Sequence, residues 1–158
     1  MLYVLLHKRK DREIKQVSQK HKELMLKQRT ALIHKIKQTK LKQTEKRKKL
    51  SFAEKEILDK KIYNNILHLE DNTYFFKLMD TTLNHLHTKF NERYPEVSDR
   101  EIKWCCLTIL GIPTTDIMTL LNYKPEALNK MKIRLAKKFQ LQYASELTVF
   151  LNGILAED

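Results

Sequence analysis

The sequence predicts an all-α fold: a long N-terminal helix or coiled coil, then connecting helices, then a group of four short helices. Three observations predict it. Glycine and proline are scarce, two and three in 158 residues, and sheets need turns built from those residues. Charged residues make up 32% of the chain and hydrophobic ones 42%, with lysine prominent, a composition suited to solvated helices. From Ser51 onward, apolar residues recur at three- and four-residue spacing.

Residues 1–7 open on Met1-Leu-Tyr-Val-Leu-Leu6 and run directly into His7-Lys-Arg-Lys10. The apolar run is far shorter than the roughly 20 residues that cross a bilayer. A secretory signal places its charges first, so that reading fails. Two readings stay open: a chance apolar start, or the cytoplasmic end of a membrane helix with its positive flank. On the second, the chain is the cytoplasmic part of a longer inner-membrane protein, and residues 7–12 lie against an anionic membrane surface.

Residues 8–50 contain no Gly or Pro and hold most of the basic charge. Residues 1–50 carry 17 Lys/Arg against 4 Asp/Glu, whereas residues 51–158 carry 14 against 15. The formal charge of +12 therefore belongs to the first third, where it suits nucleic acid, an anionic membrane or plain solvent. The apolar positions Ile14, Val17, Leu24, Ala31, Leu32, Ile36 and Leu41 predict a basic helix with a weak heptad seam at 17–24–31. Such a helix needs a partner, either its own copy or the helices that follow.

Residues 51–95 read as connecting amphipathic helices. Ser51 and Glu54 make an S-x-x-E capping box, followed by an apolar face of Ile57, Leu58, Ile62, Ile66 and Leu69. Glu70-Asp71-Asn72 predicts a break, with Asn72 or Thr73 as the next cap. One helix over 73–93 follows, with Phe75, Phe76, Met79, Leu83, Leu86 and Phe90 inward. His85 and His87 are two apart and diverge on a helix, against a metal site. Pro95 ends the segment.

Residues 96–158 hold the densest pattern. Ser98 and Glu101 form a second capping box, opening a helix with Ile102, Cys105, Cys106, Ile109 and Leu110, and with Trp104 on an adjoining side. Adjacent Cys105 and Cys106 point apart, which disfavours a disulfide; no C-x-x-C spacing suggests zinc. They read as small buried hydrophobes in a reducing cytosol. Gly111 stops this helix. Pro113–Thr115 starts another, with Ile117, Leu120 and Leu121 inward and Thr114 or Thr115 near its cap. After Asn122-Tyr-Lys124, Pro125 suits the first turn of a third helix, with a stripe of Leu128, Met131, Leu135 and Phe139. Ser145 reads as the cap of a last helix over 146–155, with Leu147, Val149, Phe150, Leu151 and Ile154.

The third helix carries six basic residues from Lys124 to Lys138 against one acid, Glu126. They lie mainly off its apolar stripe. A packed back and a cationic front are what a helix entering the major groove of DNA needs, and they equally suit a lysine-rich surface helix.

Val97–Leu141 resembles the LuxR/GerE helix-turn-helix family. Val97-Ser98-Asp99-Arg100-Glu101 stands where that family has L-T-x-R-E. Gly111 precedes Asp116-Ile117-Met118-Thr119-Leu120-Leu121-Asn122, where the family has a glycine and E-I-A-x-x-L. Lys124 to Phe139 follows the family's recognition-helix pattern without a gap; Met118, Ala127 and Met131 depart from its usual Ala, Thr and His. The whole chain is similar in organisation to the tail of membrane-anchored tetratricopeptide-sensor regulators of Bacteroidetes. Phe90-Asn-Glu-Arg-Tyr94-Pro95 and Trp104-Cys105-Cys106-Leu107 carry that likeness.

The resemblance implies a transcription regulator that binds double-stranded DNA as a homodimer and needs no cofactor. It implies base contacts from Asn129, Lys130 and Ile133. It implies phosphate contacts from Thr114, Thr115, Lys124, Lys132, Arg134, Lys137 and Lys138. Dimerisation is expected through Leu147, Phe150, Leu151 and Ile154. Two rivals remain: a juxtamembrane coiled-coil scaffold with a degenerate helix-turn-helix, and a sigma-factor-like domain that touches RNA polymerase. An enzyme is not expected, because no nucleophile–base pair, phosphate-cradling glycine loop or metal-ligand spacing stands out.

Overall fold

The structure is a computed structural model that describes residues 1–157, and every regular element among them is helical. Helix α1 spans Leu2–Lys42, roughly 60 Å at 1.5 Å per residue. No glycine or proline interrupts it. Its buried or half-buried positions are Ser18, Lys22, Met25, Gln28, Arg29, Leu32, Ile33, Ile36, Thr39 and Lys40, a stripe at helical spacing. That stripe packs on α3 and α4.

The expected heptad seam is not the packed one. Val17, Leu24 and Ala31 are exposed, as are Ile14 and Leu41. A strict seven-residue repeat drifts around a straight helix, and the intramolecular partner selected a different stripe. The helices that follow supply the partner α1 requires. Leu2–Leu6 forms its exposed first turns. No helix among the described residues is long and apolar enough to cross a membrane.

A short α2, Thr44–Lys48, turns the chain into α3, Phe52–Leu67. The Ser51 side chain accepts the Glu54 N–H, 3.3 Å, as the first half of the expected box. Ile57 is exposed rather than inward, and the buried face is Ile62, Tyr63 and Leu67. His68 ends α3 in the left-handed region at φ 55°. The next cap is Asp71, neither Asn72 nor Thr73: its carboxylate accepts the Tyr74 N–H at 3.1 Å.

The single helix expected over 73–93 is two, α4 at Asn72–Thr82 and α5 at Leu86–Arg93. Asn84 and His85 between them have φ of 53° and 58°. All six apolar residues of the predicted face are buried regardless. The break has a physical reason. It turns the buried Asn84 amide toward the C-terminus of α9, where it donates to the Leu155 carbonyl at 2.9 Å and also to that of Glu157. Asp80 splints the break by accepting from the Thr88 hydroxyl, 2.6 Å, and the Thr88 N–H, 3.2 Å.

Helix α6, Asp99–Ile109, opens on a reciprocal capping box: Ser98 Oγ accepts the Glu101 N–H, and Glu101 accepts the Ser98 N–H at 3.0 Å. Gly111 follows at φ +75°, a conformation that favours glycine. Helix α7 is Thr114–Leu121, with Pro113 as its cap. Asn122 closes it at φ 56°, and Pro125 opens α8, Pro125–Lys138. A 3-10 turn at Ala144–Glu146 leads into α9, Leu147–Ala156. Ser145 lies inside that turn and does not cap α9. Instead the Glu146 carboxylate accepts the N–H groups of Gln142 and Tyr143.

One continuous core runs from Ile36 to Ile154, so the boundary expected at 95/96 does not divide the packing. Its centre is aromatic. Phe139 lies 5.4 Å from Phe90, 4.9 Å from Tyr94 and 4.5 Å from Phe150 between ring centroids. Thus α5, α8 and α9 meet around one ring, and the orientation of α8 is fixed from behind.

Candidate nucleic-acid interface

Helix α8 has two unlike sides. Leu128, Met131, Leu135, Ala136 and Phe139 are buried. On the opposite side Glu126, Lys130, Ile133 and Lys137 follow one another at spacings of four, three and four, and all are exposed. Asn129 and Arg134 flank this row and are also exposed. Ile133 is 51% exposed, an isolated apolar side chain in a basic row. The three residues expected to face bases, Asn129, Lys130 and Ile133, therefore share one solvent-facing side with Arg134 and Lys137.

Two of the expected phosphate contacts are turned elsewhere. Lys138 Nζ lies 2.7 Å from Glu101 and donates to the Glu96 carbonyl at 3.1 Å, so its charge is used within the fold. Lys132 is half-buried, with its ammonium 5.7 Å from the centre of the Trp104 ring, on the flank of α8 rather than its front. Thr114 and Thr115 are exposed in the first turn of α7, and Lys124 is exposed at the start of α8.

The expected dimer surface is largely occupied. Leu147, Leu151 and Ile154 are buried in the chain's own core. Phe150 is half-buried against Phe139 and Tyr94. Because α9 must close the core over α6 and α8, its apolar side is not open to a second copy. Val149, at 77% exposed, lies on its outer side.

Three residues named in the sequence only for their motifs have tertiary positioning roles that no motif gives. Arg100, on α6, donates to the carbonyls of Leu121, 2.6 and 3.0 Å, and Asn122, 2.8 Å. Its guanidinium also stacks 3.8 Å from the Tyr123 ring centre. One side chain thereby satisfies carbonyls at the end of α7 and holds the turn that aims α8. Glu101 joins α6 to α8. Burial alone would raise its carboxyl, but hydrogen bonds from Lys138 and from Ser98 outweigh burial and hold it below the usual carboxylate range.

Asp116 is the second such node. Its Oδ2 accepts from Lys40 at 2.5 Å and from the Tyr63 hydroxyl at 2.6 Å, while Lys40 lies 4.7 Å from the Tyr63 ring centre. Burial, reinforced by that carboxylate, drives the Tyr63 hydroxyl well above its ordinary value. The cluster bolts α1 and α3 to α7. It joins residues 76 and 53 positions apart in sequence, which no local pattern signals.

Cys105 and Cys106 are both free and fully buried, and burial pushes both thiols up. Among the described residues no group of three or more His, Cys, Asp or Glu side chains could hold a metal ion. His85 and His87 have separate neighbours: His85 stacks with His21, and His87 lies 3.9 Å from Phe76. No family model, no curated protein and no solved structure matches this chain.

Proposed function

We propose that this chain is a DNA-binding transcription regulator, a helix-turn-helix protein of the LuxR/GerE kind, in which α8 enters the major groove. One observation carries the reading. A 14-residue helix presents an uninterrupted side of Asn129, Lys130, Ile133, Arg134 and Lys137 while its back is locked into an aromatic core. Asparagine can pair bidentately with adenine, lysine can donate to guanine, and an aliphatic side chain can touch a thymine methyl. Arg134, Lys137 and Lys124 serve phosphates, together with the first turn of α7, where free backbone N–H groups favour anions.

The preceding helix and its turn are held for this task. Arg100 fixes the turn between α7 and α8, and Asn122 adopts the left-handed conformation that makes it tight. Regulators of this kind act as dimers on paired half-sites. With most of α9 committed to the core, a second copy is expected to meet the chain elsewhere; the exposed seam of Val17, Leu24 and Ala31 on α1 is one available side.

The test is selection of duplexes from a random library by the full chain, followed by Lys130→Ala. Enrichment of one sequence, and a loss of about 1–3 kcal/mol of discrimination in the variant, support the reading. Unchanged binding of the selected duplex by Lys130→Ala contradicts it.

A further inference from the structure

Helix α2 and the first half of α3 lie beside α7, and the groove between them holds Lys55 and Lys60, which the α8 reading leaves unused. Its volume is about 660 Å³, and Lys55, Lys60, Thr115, Thr119, Asn122 and Lys124 are among its lining residues. Two acids in it are already neutralised within the fold. Asp59 is paired with Arg47, and Asp116 with Lys40 and the Tyr63 hydroxyl. Glu56 remains, against Lys55, Lys60 and Lys124. Lys60 makes one long contact, 3.5 Å, with the Asn122 side chain. Lys46 and Lys49 are exposed at the end of α2, and Lys48 between them pairs with Glu45 at 3.0 Å. From Lys40 to Lys61 the chain holds nine Lys/Arg against four Asp/Glu.

We propose that this α2–α3 corner is a second DNA-contacting element. It grips the phosphodiester backbone beside the groove that α8 enters, so the binding surface includes the basic arm as well as the four C-terminal helices. The proposal rests on the α8 reading above. Lys124 connects the two parts, because it stands at the start of α8 and also lines the corner's groove. A strand contacted there continues between α3 and α7.

The partner's chemistry follows from the donors. Lys55, Lys60 and Lys124 line the open groove, with the Thr115 hydroxyl on its other wall, while the Thr119 hydroxyl is spent on the Thr115 carbonyl at 3.2 Å. Such donors recognise repeated phosphates and carry no base information. The ties at Asp116 and Asp59 hold the corner in place before any ligand arrives. A preorganised element costs less ordering entropy on binding than a loose basic tail.

The experiment uses the full chain and a labelled mixed-sequence duplex, titrated over a range of salt. Each neutralised phosphate contributes about 0.9 to the slope of log affinity against log salt. Lys55→Gln/Lys60→Gln is expected to flatten that slope by about 1.8 and to leave sequence preference unchanged. Lys55→Arg/Lys60→Arg keeps the wild-type slope. Lys10→Gln/Lys20→Gln removes the same charge from the distal part of α1 and also keeps it. A full slope in the Lys55→Gln/Lys60→Gln chain, or an equal loss in Lys10→Gln/Lys20→Gln, overturns the proposal. Lys130→Gln/Lys137→Gln reports on α8 separately. If that pair weakens binding and the corner pair does not, only the corner is wrong. If the wild-type chain binds no duplex, the α8 reading falls, and the corner with it.

Discussion

In the first 17 residues every side chain is exposed, whereas Ile102, Trp104, Cys105, Cys106 and Leu107 are buried within six positions of one another on α6. Both segments are helical, for different reasons. The start of α1 is held by residues with good helix propensity and by same-face pairs such as Arg9 with Glu13, 3.2 Å apart. Helix α6 contains β-branched, aromatic and thiol side chains of poorer propensity. It is held by a capping box and by burial on several sides. A helix of the first kind tolerates change nearly everywhere; one of the second kind depends on its neighbours. The candidate DNA-reading side of α8 combines the two, with a tolerant front on a dependent back.

The contrast can be broken most forcefully in the core. Phe90→Ala leaves a cavity beside Phe139 and is expected to cost about 3–5 kcal/mol, measured by urea unfolding. Leu24→Ala on the exposed seam of α1 is expected to change the stability of the monomer, measured at high dilution, by no more than about 0.5 kcal/mol. Comparable losses at the two sites would mean that the exposed seam of α1 is covered in solution.

Asp116→Ala is the next largest. It leaves the Lys40 ammonium and the Tyr63 hydroxyl without their shared acceptor, at an expected cost of about 1–3 kcal/mol. Amide hydrogen exchange should quicken where α3 meets α7 and stay slow in α5. Uniformly unchanged protection would show that the Lys40–Asp116–Tyr63 cluster does not fasten the arm.

Glu101 gives a pH signature. Its folded-state carboxyl lies below the ordinary range, so the unfolded chain takes up that proton more readily. The stabilisation is complete above the ordinary glutamate value of about 4.3 and is lost as pH falls through the lower folded value. Glu101→Gln should therefore lie below wild type in stability near neutral pH and approach it in acid. A gap that stays constant across the acid range would assign the effect to packing alone.

The smallest effect concerns the thiols. Burial raises both Cys105 and Cys106, so neither is expected to react with a maleimide at neutral pH while the chain is folded. Both should label on unfolding, as mass spectrometry reports. Rapid labelling of the native chain would mean that α6 opens locally.

Much of the fold is legible in the sequence wherever a local rule operates alone. The Ser98–Glu101 box, Gly111, Pro125 and the stripes of α4, α6 and α8 each express a short-range preference. The misses share a cause. Asn84 and His85 break a helix whose apolar period continues through them, because Asn84 serves α9, some 70 residues away. Arg100 and Asp116 stand in the motifs that carry the family resemblance, yet their partners lie far away in sequence and only tertiary contact shows their roles. Lys132 and Lys138 look like free cations in sequence because nothing local reveals Trp104 or Glu101. The same limit explains α9, whose apolar side reads equally well as a dimer seam or a core lid.

The most direct test of the α8 reading is to select duplexes from a random library with the wild-type chain and to measure their binding by Asn129→Ala, Lys130→Ala and Ile133→Ala. Enrichment of a defined sequence, with preference relaxed at one position per variant while stability is unchanged, is the expected result. No enriched sequence, or enrichment that all three variants preserve, would contradict it.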